Sequence, residues 1–482
     1  MSFKNVASVL VIVAIIGLVS MVMSRDALLA VHNSLPVRCD TLAMNAKRNS
    51  SRVAAAFSVP QFKVSSLYSE EHARIDMEST ETRCERYDLK PYGGPPRRIF
   101  FGSMVADENW QVHLIHAMEV YDVYHVAVFV ESNTTHAASP RPLRYKDSKE
   151  GDLLAHSAMF GAKTQVYIDY WLEDHPDLLW MDRESEQRNP IVKRWKDAGM
   201  IPEDVGIMSD SDEFFSRDFL RAVQTCDFPA LRPDPSCHFP SIWPETIAFE
   251  SSPYCIKKLR WFHPDVIGGQ CVDGIGDPTE RIVPLRTHDR TYGERDETYG
   301  LEDMNEYPEA VKKSGRYPLF AAADIRRIQG AVNSYTFKEG TGDDDDETTD
   351  ALDGVAYHLH NWFDDLAVLR NKYVTYAHGT TLTKGKPLSD VTEDLDVMVR
   401  CIRGIGNEGI ESDEHYYEEG KTIKGPRPIF FLNETYLEER HKLIQEMVRQ
   451  DEKKFGSRYD SKASALKKKQ QKKVRQKRSK NA

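Results

Sequence analysis

Short apolar runs alternate with an amphipathic stretch from residue 98 onward. The runs Arg98 to Gly102, Tyr124 to Ser132 and Gln165 to Trp171 predict strands, and Tyr124 to Ser132 predicts a buried one. Between the first two runs, Trp110 to Tyr121 carries apolar residues at helical spacing. Strand, helix and strand at these distances are typical of a βαβ unit, so the pattern predicts an α/β domain with a parallel sheet.

A further apolar run, from Val205 to Ser209, stops abruptly in acids: Asp210, Asp212 and Glu213 follow it. In open α/β sheets, ligands bind at the carboxyl ends of strands. If the chain stays extended there, Asp210 and Asp212 project to the same side, because side-chain direction has period two along a strand. Two adjacent carboxylates repel each other unless a cation lies between them. The run therefore predicts a candidate site for a hard divalent cation.

Other stretches extend the α/β pattern on both sides of these acids. Arg188 to Ala198 predicts a helix before the acidic strand, and Arg217 to Thr225 predicts one after it. Ser216 is placed to cap the second helix with its hydroxyl. Gly354 to Phe363 alternates like a strand, and Thr435 to Arg449 predicts an amphipathic helix.

The N-terminus and the sequons predict the compartment. Val6 to Met23 is almost continuously apolar and comes close to the roughly 20 residues that span a bilayer. We interpret it as an uncleaved signal anchor rather than a cleaved signal peptide, whose apolar core is shorter. Asn49, Asn133 and Asn433 each begin an N-glycosylation acceptor tripeptide. Together they favour a single-pass type II protein of the Golgi or ER membrane, with a luminal body.

The composition along the chain predicts a domain order. Residues 24–97 are polar and aperiodic, which is typical of a stem, and an Asp-rich loop interrupts the body. Such a run of like charges favours a solvated loop over a calcium site. The predicted segments are a cytosolic N-terminus (1–5), a transmembrane anchor (6–23), a stem (24–97), a luminal catalytic domain (98–450) with the Asp-rich loop (339–353), and a basic tail (451–482).

Charge and cysteines exclude some classes of protein. The chain has a net charge of -11, and its C-terminal tail is basic, so the remaining body is more acidic still. A nucleic-acid-binding function is therefore not expected. The seven cysteines form no CxxC pair, which argues against a zinc ribbon or a thioredoxin-like site. The closest spacings, Cys226 with Cys237 and Cys255 with Cys271, leave the disulfide connectivity open.

The acidic cluster has several chemical interpretations. An EF-hand is excluded, because Phe214, Phe215 and Arg221 stand where its loop needs a ligand, a glycine and a glutamate. A phosphatase with Asp210 as nucleophile and Asp212 as acid and base would also follow an apolar strand. Acids at a helix N-terminus also need no ligand, because the helix dipole favours them. In a nucleotide-sugar transferase, Asp-x-Asp would hold Mn²⁺ or Mg²⁺ against the leaving diphosphate.

Ordered motifs resemble glycosyltransferase family 17. Asp210-Ser-Asp-Glu213, preceded by Asp204-Val-Gly-Ile-Met-Ser, is similar to the Asp-x-Asp-Glu block of that family. The resemblance covers roughly Arg98 to Asn433, and ordered blocks are more specific than any single one. The other matching blocks are Val123 to Thr135 with Pro142 to Tyr145, Glu186 to Arg188 with Ile201 to Asp204, and Tyr357 to Phe363 with Lys372 and Ala377-His378.

The resemblance implies a fold and a reaction. The fold would be a GT-A-like (Rossmann-like) α/β domain behind the N-terminal transmembrane helix. The reaction would be inverting transfer of GlcNAc from UDP-GlcNAc to a mannose of a glycoprotein N-linked glycan, of the bisecting β-1,4 type, with Mn²⁺ or Mg²⁺. The resemblance further implies that Asp210 and Asp212 serve the metal and diphosphate, that Glu131 lies near the nucleotide, and that His358 faces the phosphates or the metal.

The general base and the acceptor are left open by the sequence. Glu213 and Glu245 are candidate bases, as are the acids between residues 289 and 303. Phe214-Phe215, His360-Asn361 and the Asp-rich insert depart from the family pattern, and these departures concern the acceptor more than the donor. The rival hypothesis from another class is a membrane-tethered glycan-binding protein without catalysis.

Overall fold

The computed structural model describes residues 69–155, 157–173, 178, 180–233, 241–261, 263–272, 275, 322–326, 333–335, 352–375, 385–405, 417–418, 423–424, 429 and 434–459. The predicted anchor, most of the stem, Asn49, Asn433, most of the Asp-rich loop and most of the basic tail lie outside these ranges. Within them, no helix combines the length and the apolar character that crossing a bilayer requires.

The described chain is a mixed α/β structure. Its strands are β1 Ile99–Val105, β2 Val126–Ser132, β3 Gln165–Trp171, β4 Val205–Asp210, β5 Glu213–Phe215, β6 Ser241–Pro244, β7 Thr246–Glu250, β8 Ile256–Trp261, β9 Asp265–Gly268, β10 Asn333–Tyr335, β11 Leu352–Asp353, β12 Ala356–His360, β13 Tyr417–Glu418 and β14 Ile423–Lys424. Its α-helices are α1 Glu70–Asp76, α2 Thr80–Arg86, α3 Trp110–Glu119, α4 Lys149–Leu154, α5 Ser157–Phe160, α6 Trp180–Asp197, α7 Arg217–Thr225, α8 Leu366–Thr375, α9 Glu393–Ile402 and α10 Glu434–Phe455.

The predicted parallel sheet is confirmed. Seven strands lie in the order β10-β6-β9-β4-β1-β2-β3, and the strands β4, β1, β2 and β3 are parallel to one another, whereas β9 is antiparallel to β4. The chain leaves β1 in one direction for β2 and β3, and it returns to the other side of β1 as β4. This reversal between β1 and β4 is a topological switch point, where α/β sheets form a ligand crevice.

Both faces of the strands β1, β2 and β4 are covered, which explains why these strands are apolar at consecutive positions. Phe100 and Val128 pack on one face against Trp195 of α6. Phe101 and Phe129 point to the opposite face and pack in the cluster that contains residues of α3 and α7. Because side chains alternate along a strand, burial on both faces requires continuous apolar runs.

A second sheet receives the chain directly after β4 of the first sheet. Its strands lie in the order β13-β8-β7-β12-β5, and a short pair of β11 and β14 stands apart. Strand β5 starts three residues after the end of β4 and pairs antiparallel with β12, with Glu213 opposite His358. The acidic segment is therefore the connection between two sheets. The expectation that Asp210 and Asp212 project to the same side depended on an extended chain there, but residues 211 and 212 form a turn.

Several predicted elements match the structure closely. Strand β3 has the predicted bounds, and so does helix α7 with its Ser216 cap, whose hydroxyl accepts a hydrogen bond from the amide of Phe219 at 3.3 Å. Helix α6 starts at Trp180 rather than at Arg188. Its first turns are mostly charged, which hid the helical period from the sequence pattern.

The predicted boundary of the stem at residue 97 is wrong. Helices α1 and α2 belong to the folded body, because Asp76 forms an ion pair with buried Arg217 at 2.6 Å. Cys84 in α2 is also joined to Cys226 by a disulfide. A sequence of mostly polar residues concealed these helices, since ion pairs and a covalent bond rather than an apolar stripe attach them.

The predicted start of the tail at residue 451 also needs correction, and two disulfides are defined that the sequence left open. Helix α10 continues to Phe455, and Asp451 within it is buried and accepts a hydrogen bond from the amide of Leu388 at 2.7 Å. Cys226 pairs with Cys84 rather than with Cys237, and Cys255 pairs with Cys401 rather than with Cys271. Each of these bonds joins residues more than 140 positions apart.

Helix α6 packs so closely on β1 that Gly102 leaves no room for a side chain. A Cβ at this position would lie 1.9 Å from Cγ2 of Ile191. We expect Gly102→Ala to lower the free energy of unfolding by about 1–3 kcal/mol, as overpacking of a core does. Thermal unfolding would measure this, and Gly93→Ala is the control because a Cβ there meets nothing within 4 Å. Equal melting temperatures for the two variants would contradict the packing.

Candidate active site

Asp210 is the last residue of β4 and lies at the switch point, opposite Met104 of β1. Its Oδ1 is 2.6 Å from Nη2 of Arg188 on α6 and 2.7 Å from Nη1 of Arg326. Burial opposes the ionisation of Asp210, but the two guanidinium groups outweigh it and hold the pKa of this carboxyl well below its usual range. Asp210 is therefore ionised and anchored between two arginines.

Asp212 lies in the turn and has no arginine partner among the described residues. Its Oδ2 is 3.6 Å from Nε2 of His358, which is too long for a hydrogen bond. Its backbone carbonyl accepts a hydrogen bond from the amide of Leu359 at 2.8 Å, so β12 fixes the turn independently of the side chain. Burial raises the pKa of Asp212, while His358 and Lys372 lower it and prevail. The carboxylate is 22% exposed and ionised at the cleft.

Glu213, a predicted base, is fully buried and already bound by donors. Its Oε1 accepts a hydrogen bond from the indole of Trp261 at 2.7 Å and another from Arg326 at 3.1 Å. Its Oε2 accepts a hydrogen bond from the amide of Asp210 at 3.1 Å. These bonds make Glu213 a support for the Asp210 end of the turn.

His358 stands against an aromatic wall. Its ring stacks on Trp261, with 5.0 Å between the ring centroids and 26° between the planes. Because Trp261 also donates to Glu213, one indole orients both the imidazole and the acid of the turn. The structure thus brings Asp210, Asp212, Glu213 and His358 together.

These residues line one open cleft between the two sheets. Loops after β1 and β2, helix α6, the acidic turn, β12 and helix α8 contribute its walls. Cationic, neutral polar, acidic and aromatic groups together line it. The charged and histidine side chains in its lining are Asp107, Glu108, His136, Arg141, Glu184, Arg188, Asp210, Asp212, Glu213, His358, His360 and Lys372.

Two of the predicted residues lie away from this cleft. Glu131 is buried at the end of β2, and its carboxylate accepts hydrogen bonds from the amides of Arg144 and Tyr145, the latter at 2.9 Å. Glu131 therefore holds the loop after β2, and a direct contact with the nucleotide stays a prediction. Glu245 immediately precedes β7. It therefore lies at one end of the β7–β12 pair, and His360 lies at the other end. The register separates this predicted base from the cleft.

Several residues of the site carried no recognisable signal in the sequence. Arg326 comes from a short 3₁₀ segment, Ala322–Arg326, more than 100 residues after the acids that it contacts. Glu108 lines the cleft after β1, and burial raises its pKa to about 7 against the amide of Ala106 and the charge of Arg141. Only proximity in the folded chain identifies such residues.

The predicted sequon that the structure describes is partly engaged. Asn133 is half-buried, and its Oδ1 accepts a hydrogen bond from the amide of Glu173 at 2.8 Å. Glycosylation at Asn133, as at Asn49 and Asn433, stays a prediction.

The acidic turn offers few ligands for a metal ion. Among the described residues, no group of three or more His, Cys, Asp or Glu side chains could hold a metal ion. The donor set that remains, one cleft-facing carboxylate at Asp212, still fits Mg²⁺, which proteins usually hold through one or two carboxylates together with substrate phosphates. Asp210 fits this role less well, because two arginines occupy its carboxylate.

A mixed α/β structure with a parallel sheet and an Asp-x-Asp turn at its switch point is consistent with a glycosyltransferase domain. The sequence model of glycosyltransferase family 17 matches residues 58–232, which include Glu131 and the whole acidic turn. Over this stretch the chain is similar to glycosyltransferase family 17, as the ordered motifs predicted. The match supports glycosyltransferase activity, which implies a nucleotide-sugar donor and a glycan acceptor. No curated protein and no solved structure matches the chain.

The match covers only part of the candidate site. It ends at residue 232, so Trp261, Arg326 and the block around His358 lie beyond it. It begins at residue 58, ahead of α1 and α2, which agrees with their place in the folded body. The phosphatase and glycan-binding interpretations are set aside, because the match identifies the enzyme class.

Proposed function

We propose that the protein transfers GlcNAc from UDP-GlcNAc to a mannose of an N-linked glycan, with inversion at the anomeric carbon, in a GT-A-like domain. The observation that carries the proposal is the division of labour within Asp-x-Asp. Arginines anchor Asp210 at the switch point, while Asp212 presents an ionised carboxylate to the cleft. A fixed Asp210 and a cleft-facing Asp212 suit a donor whose diphosphate must be held while its sugar reacts.

Asp212 would hold a divalent cation, Mn²⁺ or Mg²⁺, together with the donor. When bound, such an ion stabilises the negative charge that develops on the departing diphosphate. His358 is placed beside Asp212 and would face the phosphates, and its stacking on Trp261 prevents it from turning away. Lys372 adds a positive charge to the same wall of the cleft.

Disulfides support the proposed compartment. Cys84–Cys226 and Cys255–Cys401 are both formed. Such bonds persist in oxidising environments such as the lumen of the secretory pathway. We therefore propose a type II protein of the Golgi or ER membrane, anchored by residues 6–23, with its catalytic domain in the lumen.

The full chain should release UDP from UDP-GlcNAc only when an N-glycan acceptor and Mn²⁺ or Mg²⁺ are present. We expect EDTA to lower transfer by at least about 10²-fold, since the ion supplies several kcal/mol of transition-state stabilisation, and we expect added Mn²⁺ to restore it. UDP-Gal, UDP-Glc and UDP-GalNAc serve as competing donors, and NMR of the product determines its anomeric configuration and linkage.

Each part of the proposal has its own contradictory result. Preferred use of another sugar nucleotide would overturn the donor, and an α-linked product would overturn inversion. Undiminished transfer in EDTA would contradict the proposed requirement for a divalent metal ion.

A further inference from the structure

Neighbouring strands bring a histidine and a buried glutamate together at the cleft. His360 is the last residue of β12 and lies opposite Glu250, the last residue of β7. Nδ1 of His360 is 2.5 Å from Oε2 of Glu250. Glu250 is fully buried, whereas the side chain of His360 is 20% exposed and lines the cleft. A carboxylate that accepts the Nδ1 proton leaves the lone pair of the imidazole on Nε2.

The carboxylate of Glu250 is itself held in place. Its Oε1 accepts a hydrogen bond from Nδ2 of Asn361 at 2.7 Å. Asn361 has a φ of 54°, a left-handed conformation that asparagine tolerates better than most residues. Lys372 donates to Oδ1 of Asn361 at 3.1 Å, and Asn361 donates to the hydroxyl of Tyr373 at 2.8 Å. Glu250 is therefore fixed by a network that extends into α8.

Nε2 of His360 is the end of this network that remains available. Among the described residues, none forms a hydrogen bond with it. The ring lies 5.2 Å from the ring of His358, measured between centroids, and both rings border the cleft that Asp212 enters. An imidazole in the lining of a cleft, with one nitrogen held by a carboxylate and the other without a hydrogen bond, is the arrangement of a general base.

The acids near the cleft that the structure describes are less suited to this task, and the candidate acids between residues 289 and 303 lie outside the described residues. The oxygens of Glu213 already accept three hydrogen bonds. Glu245 lies at the opposite end of the strands. Glu108 lines the cleft, but one of its oxygens accepts a hydrogen bond from the amide of Ala106, and Arg141 and Arg144 compete for its charge.

We propose that His360, oriented by Glu250, is the general base of the transfer reaction. The inference rests on the inverting transfer proposed above. The hydroxyl oxygen of the acceptor attacks C1 of the donor sugar, and the bond between C1 and the β-phosphate oxygen breaks with its electron pair passing to UDP. The hydroxyl proton moves to Nε2 of His360. Glu250 stabilises the imidazolium, which then releases the proton to solvent.

Substitution of His360 provides the test. We expect His360→Ala to lower kcat about 10²–10⁴-fold, the usual contribution of a general base, while the KM for UDP-GlcNAc changes little. Free imidazole should restore part of the kcat of His360→Ala, because it enters the space that the side chain leaves. It should not restore His360→Gln, which fills that space. A role limited to packing would not produce this selective rescue.

A second variant and two controls complete the experiment. Glu250→Gln should lower kcat by a smaller factor, because the amide oxygen still accepts the Nδ1 proton but carries no charge to stabilise the imidazolium. His125 lies next to Arg98 and does not line the cleft. His125→Ala should therefore behave like the wild type and show no response to imidazole. Thermal unfolding of each variant verifies that it folds.

Unimpaired transfer by His360→Ala, or an equal response of both His360 variants to imidazole, would overturn the assignment. So would a loss of kcat confined to Glu108→Gln. A wild type that transfers no sugar to any N-glycan would overturn the proposed function together with this inference. If the wild type is active and His360→Ala is equally active, only the assignment of His360 as the general base is overturned.

Discussion

Asp212→Ala should lower kcat/KM for transfer by about 10³-fold or more, because the loss of a divalent ion removes several kcal/mol of transition-state stabilisation. The substitution removes the cleft-facing carboxylate of the turn. The turn itself should persist, since the backbone carbonyl of Asp212 still accepts the amide proton of Leu359. Steady-state transfer and calorimetric binding of UDP with and without Mn²⁺ measure the effect.

A matched substitution separates this role from general acidity of the cleft. Asp107→Ala removes another acid from the lining, at an exposed position outside the turn. We expect it to retain transfer within a few fold and to bind UDP with the same dependence on Mn²⁺. Normal transfer by Asp212→Ala would show that the ion is held elsewhere or not used.

Arg326→Met should lower the free energy of unfolding by about 3–5 kcal/mol, the cost of leaving buried charges without their partner. Arg326 lies 2.7 Å from Asp210, 3.1 Å from Glu213 and 3.9 Å from Asp265. Glu213 and Asp265 are fully buried, and burial already raises the pKa of Asp265. We also expect weaker binding of the donor, because Asp210 would lose one of its two anchors. Denaturant unfolding and UDP binding measure these effects.

Arg194→Met is the control for this prediction. Arg194 pairs with Asp169 at a similarly short distance, 2.6 Å, but both side chains are partly exposed. Ion pairs of this kind contribute only about 0–1 kcal/mol. In addition, Asp210→Asn combined with Arg326→Met should cost less than the sum of the single changes, since residues in contact are not additive. Equal losses of stability in Arg194→Met and Arg326→Met would contradict the role of Arg326 as a buried charge partner.

Local pattern was sufficient for the centre of the domain. The strands on either side of the switch point are buried on both faces, so their apolar runs are continuous and easily recognised. The same physics located Asp210, since a buried strand must end where charged residues begin. The turn at residues 211 and 212 escaped prediction, because the sequence does not reveal that β5 pairs with β12 rather than continuing β4.

Elements attached by polar contacts were missed for a related reason. Helices α1 and α2 contribute ion pairs and the Cys84–Cys226 disulfide rather than a long apolar stripe. A segment that is held by specific pairs has no periodic signature, since each pair depends on a distant partner. The stem was therefore predicted to extend further along the chain than it does.

The sequence by itself determined the α/β class, the parallel strands, the position of the Asp-x-Asp acids and the family of residues 58–232. These features follow from local periodicity and short motifs, which can be recognised without knowledge of distant contacts. Only the tertiary structure decided that Arg326 anchors Asp210, that Glu245 lies away from the cleft, and that Glu250 orients His360. Each of these depends on strand register or chain return over about a hundred residues, and no local pattern encodes the meeting of such distant side chains.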